Sequence, residues 1–146
     1  MRRTVCCCVL TLAAFGCGHS GPAIIPIDTA PVTGTATFEG KPLEDYRVYF
    51  YCEADAAKEP ATDRIKADGS FTLSVRNPGD GAIIGSNKIW FSYDPPLPEE
   101  IPGQESGKAP PPPKVKLPEK YLSAETSGLA VEVPPSGLKD YKLDLK

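Results

Sequence analysis

The side chains that could perform catalysis are few and poorly placed. The chain contains a single histidine, His19, in a Gly-rich stretch, so histidine-based triads and zinc sites are excluded. Hydrolysis by paired carboxylates needs an acid and a base held at a fixed separation. The candidate pairs are Glu44 with Asp45 and, further along, Glu99, Glu100 and Glu105. None is expected on an element that would fix this separation, so we expect no enzyme activity.

Metal binding has equally weak support in the sequence. Asp63 and Asp68 flank a turn and Asp80 lies in a Gly-rich one, which makes them the candidate calcium ligands. Calcium takes about six to eight oxygen ligands, and the spacing of an EF-hand loop is absent. Aspartate side chains in turns commonly accept hydrogen bonds from nearby backbone N–H groups instead. The sequence therefore predicts no metal and no cofactor.

The charge balance argues against a nucleic-acid partner. The chain has 16 Lys plus Arg against 19 Asp plus Glu, for a formal net charge of -3. A mildly acidic protein is a poor binder of polyanions. We expect no nucleic-acid binding.

Three aromatic residues are the best candidates for ligand binding. Alternation along the chain places Tyr49, Tyr51 and Trp90 on the opposite face from their apolar neighbours. If their strands are adjacent, the three rings would form a platform on one sheet surface, as in a carbohydrate-binding module. The alternative is that a Pro-rich segment covers the three rings.

The elements that must position these residues are strands. Apolar and polar residues alternate with period two in short segments separated by Gly, Pro, Asn and Asp. The segments are 32–38, 47–52, 61–66, 71–75, 87–93, 129–133 and 141–145. Asp68-Gly69 between the third and fourth segments predicts a hairpin turn. No apolar stripe with helical spacing is present, so the pattern predicts an all-β, antiparallel sandwich of about seven strands.

A Pro-rich insertion interrupts the strand pattern. Residues 94–118 contain nine prolines, four of them consecutive at 110–113. Proline removes the hydrogen-bond donors that a sheet needs and favours polyproline II. We interpret the insertion as a semi-rigid surface loop; a ligand for a proline-recognising groove is the alternative.

The first residues have the pattern of an export signal. A cationic start is followed by ten apolar residues, 5–14, which as a helix would cover about 15 Å, roughly half of a bilayer core. Ala14-Phe15-Gly16-Cys17 resembles the lipobox of bacterial lipoproteins, in which the Cys is acylated. The resemblance implies a signal peptide at 1–16, a lipid on Cys17 and a flexible tether at 17–31.

This anchor implies a place in the cell. The protein would be exported and held by lipid at the cell envelope, in either the inner or the outer membrane. The membrane would be its first partner, and an envelope protein or a glycan a possible second. Cys6, Cys7 and Cys8 would leave with the signal peptide. Cys52 would then have no disulfide partner and, beside Val48 and Phe50, is expected to be buried.

The body of the chain contains a series of short motifs, namely Gly34, Gly40-Lys41-Pro42-Leu43, Thr62-Asp63 and Asp68-Gly69-Ser70-Phe71-Thr72-Leu73. In this order they resemble the carboxypeptidase regulatory-like domain, a transthyretin-like β-sandwich, and the resemblance covers residues 32–146. It implies a non-catalytic accessory domain, with a structural or partner-binding role in the envelope. A carbohydrate-binding module is the alternative. The Pro-rich insertion is longer than the resemblance leads us to expect.

Overall fold

A computed structural model describes residues 25–96 and 110–146 of the chain. The predicted signal peptide at 1–16, Cys17, His19 and the acidic residues Glu99, Glu100 and Glu105 lie outside these residues. The described chain is built from strands and one short 3₁₀ turn, which confirms the predicted all-β sandwich. The strands are β1 (Thr29–Ala30), β2 (Val32–Phe38), β3 (Lys41–Pro42), β4 (Tyr46–Cys52), β5 (Ala61–Arg64), β6 (Ser70–Thr72), β7 (Ala82–Ile83), β8 (Gly85–Tyr93), β9 (Leu129–Val133) and β10 (Leu138–Leu145), and the 3₁₀ turn is Glu119–Leu122.

No helix in residues 25–96 and 110–146 has the length and apolar character needed to cross a membrane.

The first sheet has the strand order β5-β4-β8-β9, and all of its pairs are antiparallel. The longest pairing joins β4 to β8 and places Tyr49 directly opposite Trp90. Burial alternates along β4, with Tyr46, Val48, Phe50 and Cys52 buried. This alternation is what the sequence predicts for a strand with one face on the core.

The second sheet is organised around β2. Strands β3 and β6 pair with β2 in antiparallel fashion on one side. On the other side β10 pairs with β2 in parallel, with a register shift between Leu138 and Tyr141. Among the described strand pairs this one is parallel, within a sandwich that is otherwise antiparallel as predicted. Its partners lie about a hundred residues apart in the chain, and local alternation carries no information on relative strand direction.

A small third sheet extends the fold into the segment assigned to the tether. Residues Thr29–Ala30 form β1 and pair antiparallel with β7, and Ala30 is buried. Gly81 permits this contact, since its φ is 92° and a Cβ there would lie 1.8 Å from the carbonyl oxygen of Ala30. Thr29 and Ala30, which the sequence assigns to the tether, are therefore part of the sheet structure. Two-residue strands are too short to show alternation in a sequence.

The core lies between the two larger sheets. Phe50 and Phe91 of the first sheet and Phe71 of the second are each almost fully buried. The rings of Phe50 and Phe71 approach to 6.3 Å between centroids and join the two layers. These residues were expected on the inner face from alternation alone.

The predicted turn at Asp68-Gly69 forms, with Gly69 at a φ of 83°. The backbone N–H of Gly69 donates to the carbonyl oxygen of Lys66, and Asp68 accepts from the N–H of Ser70. The strands on either side of the turn belong to different sheets, because β5 pairs with β4 and β6 pairs with β2. The turn therefore carries the chain from one layer of the sandwich to the other.

The described end of the Pro-rich insertion packs against the body. The Tyr46 hydroxyl donates to the carbonyl oxygen of Val115 at 2.9 Å and accepts from the N–H of Leu117 at 3.3 Å. Leu117 is buried in the core, and Lys114 pairs with Glu44 at 2.7 Å. Residues 114–118 thus close one end of the sandwich.

Candidate binding surface on the outer sheet face

The three aromatic residues singled out from the sequence lie together on the outer face of the first sheet. We call Tyr49, Tyr51 and Trp90 the aromatic cluster. Tyr49 and Tyr51 are contributed by β4 and Trp90 by β8, which pair with each other. All three side chains are half-buried, because each stands on the face opposite the core. The pairing of β4 with β8 thus brings the rings into contact.

The rings of the aromatic cluster stack on one another. Tyr49 and Trp90 are almost parallel, with an interplanar angle of 4° and ring centroids 5.0 Å apart. Tyr51 meets Trp90 edge to face, at 71° and 6.3 Å. Both arrangements are favourable for aromatic quadrupoles. The three rings thus lie together on one sheet surface, with Tyr49 stacked on Trp90 and Tyr51 meeting Trp90 edge to face.

A groove of about 510 Å³ runs beside the aromatic cluster. We call it the Trp90 groove; Tyr51, Trp90, Pro60 and residues 122–125 line it. Tyr49 does not line it, so Trp90 is the ring that joins the stack to the groove. The segment 122–125 was missed at the sequence level, because nothing local in those residues indicates that they lie beside β8.

The wall formed by residues 122–125 is held by hydrogen bonds on both sides. Tyr121 is buried, and its hydroxyl donates to the carbonyl oxygen of Lys146 at 2.8 Å. The Thr126 hydroxyl donates to the carbonyl oxygen of Lys120 at 2.8 Å. Leu122, between these anchors, is 42% exposed. The wall therefore presents an apolar side chain to solvent on a fixed backbone.

The charged groups around the Trp90 groove are two carboxylates and one amine. Lys88 pairs with Glu53 at 2.7 Å, and this hydrogen bond raises the pKa of Lys88 above its ordinary value. The Ser123 hydroxyl donates to Glu125, and this hydrogen bond lowers the pKa of Glu125. Both effects favour the charged forms at neutral pH. Lys88 also attracts Glu125, which contributes to the lowered pKa of Glu125, and the three groups together leave a net negative charge beside the groove.

Further along the outer face, cations and carboxylates are paired. Arg47 donates to one oxygen of Asp94 through both Nε and an Nη atom, at 2.9 and 2.7 Å. Arg64 reaches Asp45 at 3.3 Å. Exposed pairs of this kind contribute little to stability. Because their charges cancel, the aromatic rings are the distinguishing feature of this face.

Residues 110–118 of the Pro-rich insertion make their contacts elsewhere. The Tyr93 hydroxyl donates to the carbonyl oxygen of Pro111, and Tyr93 contacts Tyr46 with ring centroids 5.5 Å apart. Tyr93 follows Trp90 by three positions on β8, so its side chain lies on the opposite, core-facing side of the sheet. The contacts made by residues 110–118 are therefore at the end of the sandwich and not on the aromatic cluster.

Those carboxylates considered for calcium or hydrolysis that the structure describes have structural partners. Asp63 accepts from the backbone N–H groups of Arg64 and Thr72, and Asp80 accepts from those of Val75, Arg76 and Asn77. Glu44 and Asp45 each face a cation, Lys114 and Arg64. Within residues 25–96 and 110–146, no group of three or more His, Cys, Asp or Glu side chains could hold a metal ion.

Cys52 is buried, as expected from its position on β4, with 3% of its surface exposed. It has no disulfide partner among the residues that the structure describes. Its cross-strand partner is Asn87, which is fully buried and donates to the carbonyl oxygens of Ile83 and Gly85 at 2.8 Å. The side-chain oxygen of Asn87 has no hydrogen-bond partner in the described residues. Cys52 therefore serves as a small packing residue in a largely apolar site.

Comparison with known proteins adds no further constraint. No protein-family profile, no curated protein and no solved structure matches this chain.

Proposed function

We propose that this protein is a non-catalytic envelope protein, exported and anchored by lipid on Cys17, whose sandwich has a structural or partner-binding role. The observation that carries the proposal is the sequence Ala14-Phe15-Gly16-Cys17 after a cationic start and ten apolar residues. Two or more acyl chains give durable anchoring, at about 0.8 kcal/mol per buried methylene. The proposal places the folded body, from Thr29 onward, about a dozen residues from the membrane surface.

The fold is compatible with such a passive role. Carboxylates that could have served as a catalytic pair are engaged with Lys114 and Arg64. The motif Gly40-Lys41-Pro42-Leu43 forms the bend into β3, and Leu43 is fully buried. These residues act as folding determinants, which supports our proposal that the sandwich is a transthyretin-like, carboxypeptidase regulatory-like domain.

The anchoring proposal is tested by metabolic labelling. Cells of a bacterial host producing the full chain are grown with a clickable fatty acid, and the protein is isolated from the membrane fraction. We expect a labelled protein whose mature chain begins at Cys17, and an unlabelled protein for Cys17→Ser. A wild-type protein that retains Met1 and carries no label contradicts the proposal. Capture of partners from detergent-solubilised envelope then addresses the accessory role.

Carbohydrate binding is a second candidate, favoured by the contact between Trp90 and Tyr49 beside an open groove. Trp90 is the one tryptophan of the chain, so its fluorescence reports on this site alone. Titration of the purified protein with a panel of soluble glycans should change that fluorescence in a saturable way. A panel that produces no change and no heat of binding rules this candidate out.

A further inference from the structure

The geometry points to the Trp90 groove as a binding site for an internal segment of a neutral polysaccharide, with discrimination against anionic glycans. This inference rests on the second candidate function, carbohydrate binding, and names both its site and its ligand class.

The lining of the groove combines apolar surface with hydrogen-bonding groups. Trp90, Tyr51 and Leu122 supply the apolar part, and Ser123 and Glu125 supply hydroxyl and carboxylate oxygens. A pyranose ring has the matching composition, with C–H groups on its faces and hydroxyls around its edge. Its C–H face would pack on an aromatic ring while its hydroxyls donate to Glu125.

The site is preformed, which lowers the entropic cost of binding. The ring of Trp90 is held by the parallel ring of Tyr49 at 5.0 Å. The opposite wall is fixed through buried Tyr121 and through the N–H of Ser127, which donates to the carbonyl oxygen of Ser123 at 3.0 Å. Little conformational freedom is therefore lost when a ligand enters. Tyr49 acts as a positioning residue and does not line the groove.

Charge and shape restrict the ligand. Glu53, Lys88 and Glu125 together carry a net negative charge, and Glu125 lines the groove, so an anionic sugar would be disfavoured there. The volume of about 510 Å³ lies within the range of about 300–1,000 Å³ typical of small-ligand sites. The groove is open to solvent, so a sugar unit can occupy it while the rest of a longer glycan stays outside.

The experiment titrates the purified full-chain protein with soluble neutral glycans, namely β-1,4-glucan, α-1,4-glucan, mannan and chitin oligosaccharides, and with polygalacturonate. Trp90 fluorescence and calorimetry give the affinity. Two groove variants, Glu125→Gln and Leu122→Ala, are compared with Glu132→Gln, an exposed residue on β9 that does not line the groove. Melting curves establish that each variant is folded.

We expect at least one neutral glycan to bind and polygalacturonate to bind more weakly. Glu125→Gln should weaken binding about tenfold, because a charge-assisted hydrogen bond is lost, and Leu122→Ala about threefold. Glu132→Gln should leave the affinity unchanged.

The contrary outcomes separate the two proposals. If a neutral glycan binds but the groove variants behave like Glu132→Gln, the groove assignment is wrong and carbohydrate binding stands. If polygalacturonate binds more tightly than every neutral glycan, the assigned ligand class is wrong. If no glycan binds, both proposals fail. Self-association through this face, seen as a dimer in sedimentation that Leu122→Ala dissociates, also overturns the inference.

Discussion

Replacement of Asp80 by Ala should destabilise the protein well beyond what is usual for a surface substitution. Both oxygens of this carboxylate accept backbone hydrogen bonds, from Val75 at 2.7 Å and from Asn77 and Arg76 at 2.8 and 3.1 Å. One side chain thus satisfies three N–H groups of the loop that leads from β6 to β7. Without it, these groups depend on water and the loop loses its fixed shape.

The magnitude follows from the number and kind of these hydrogen bonds. A hydrogen bond to a charged group contributes about 1.5–3 kcal/mol in a protected site. Asp80 is only half-buried, so we expect the three together to contribute about 2–3 kcal/mol. For a domain of this size the melting temperature should fall by roughly 8–12 °C.

The pH dependence of this effect has a definite sign. Partial burial acts to raise the pKa of Asp80, but the hydrogen bonds from Val75, Asn77 and Arg76 outweigh it and hold the pKa below its ordinary value. The stabilisation is therefore complete above the pKa of an unfolded Asp, about 3.9, and is lost as the pH falls through the lower folded pKa. The difference between wild type and Asp80→Ala should shrink below about pH 4.

The assay is urea unfolding followed by Trp90 fluorescence, at pH 7 and at pH 3. Asp68→Ala is the matched control, because Asp68 lies in another turn and accepts from a single backbone N–H in the described chain, that of Ser70. We expect Asp68→Ala to cost much less than Asp80→Ala at pH 7. Equal losses for the two variants would refute the additive contribution of the three hydrogen bonds. A loss that is the same at both pH values would refute its ionic part.

Three further predictions concern the interior. Phe50→Ala removes a fully buried ring that contacts Phe71 across the sandwich, and should cost about 3–5 kcal/mol in equilibrium unfolding. Asn87→Asp places a carboxylate beside two carbonyl oxygens and should lower the free energy of unfolding by about 3 kcal/mol or more at pH 7. The loss should be smaller in acid, where the buried group is protonated. Thermal melts at the two pH values measure this, and an equal loss of stability at both would contradict it. Cys52 should react with a maleimide only after denaturation, and rapid labelling of the folded protein, followed by intact mass, would show that its burial is wrong.

The larger strands could be predicted from the sequence because their alternation is local. The pattern in 47–52 and 87–93 places Val48, Phe50 and Phe91 inside and Tyr49 and Trp90 outside, as the structure has them. The turn at Asp68-Gly69 could also be predicted from the sequence, because it depends on a single residue that can adopt a positive φ. The strands with which the residues before and after the turn pair lie far away in the sequence. The crossing from one sheet to the other was therefore not predicted.

The candidate site was predictable only in part, for a similar reason. Alternation assigned Tyr49, Tyr51 and Trp90 to one face, but their contact depends on the register of β4 against β8. The stacking of Tyr49 on Trp90 depends on side-chain rotamers, which a sequence pattern does not specify. The groove wall is contributed by residues 122–125, which follow the Pro-rich insertion and have no periodic pattern of their own.

The parallel pair of β2 and β10 has a consequence for the order in which the protein matures. Thr37 of β2 donates to Asp144 of β10 at 2.7 Å across a separation of 107 residues, and the pairing of these two strands consists of such distant contacts. During synthesis one edge of β2 stays unpaired until residues 138–145 have been made. Folds with contacts this far apart in the chain form slowly. A chain whose second sheet is still incomplete can be translocated in extended form. If the proposed export is right, the delay would let the body assemble on the far side of the membrane.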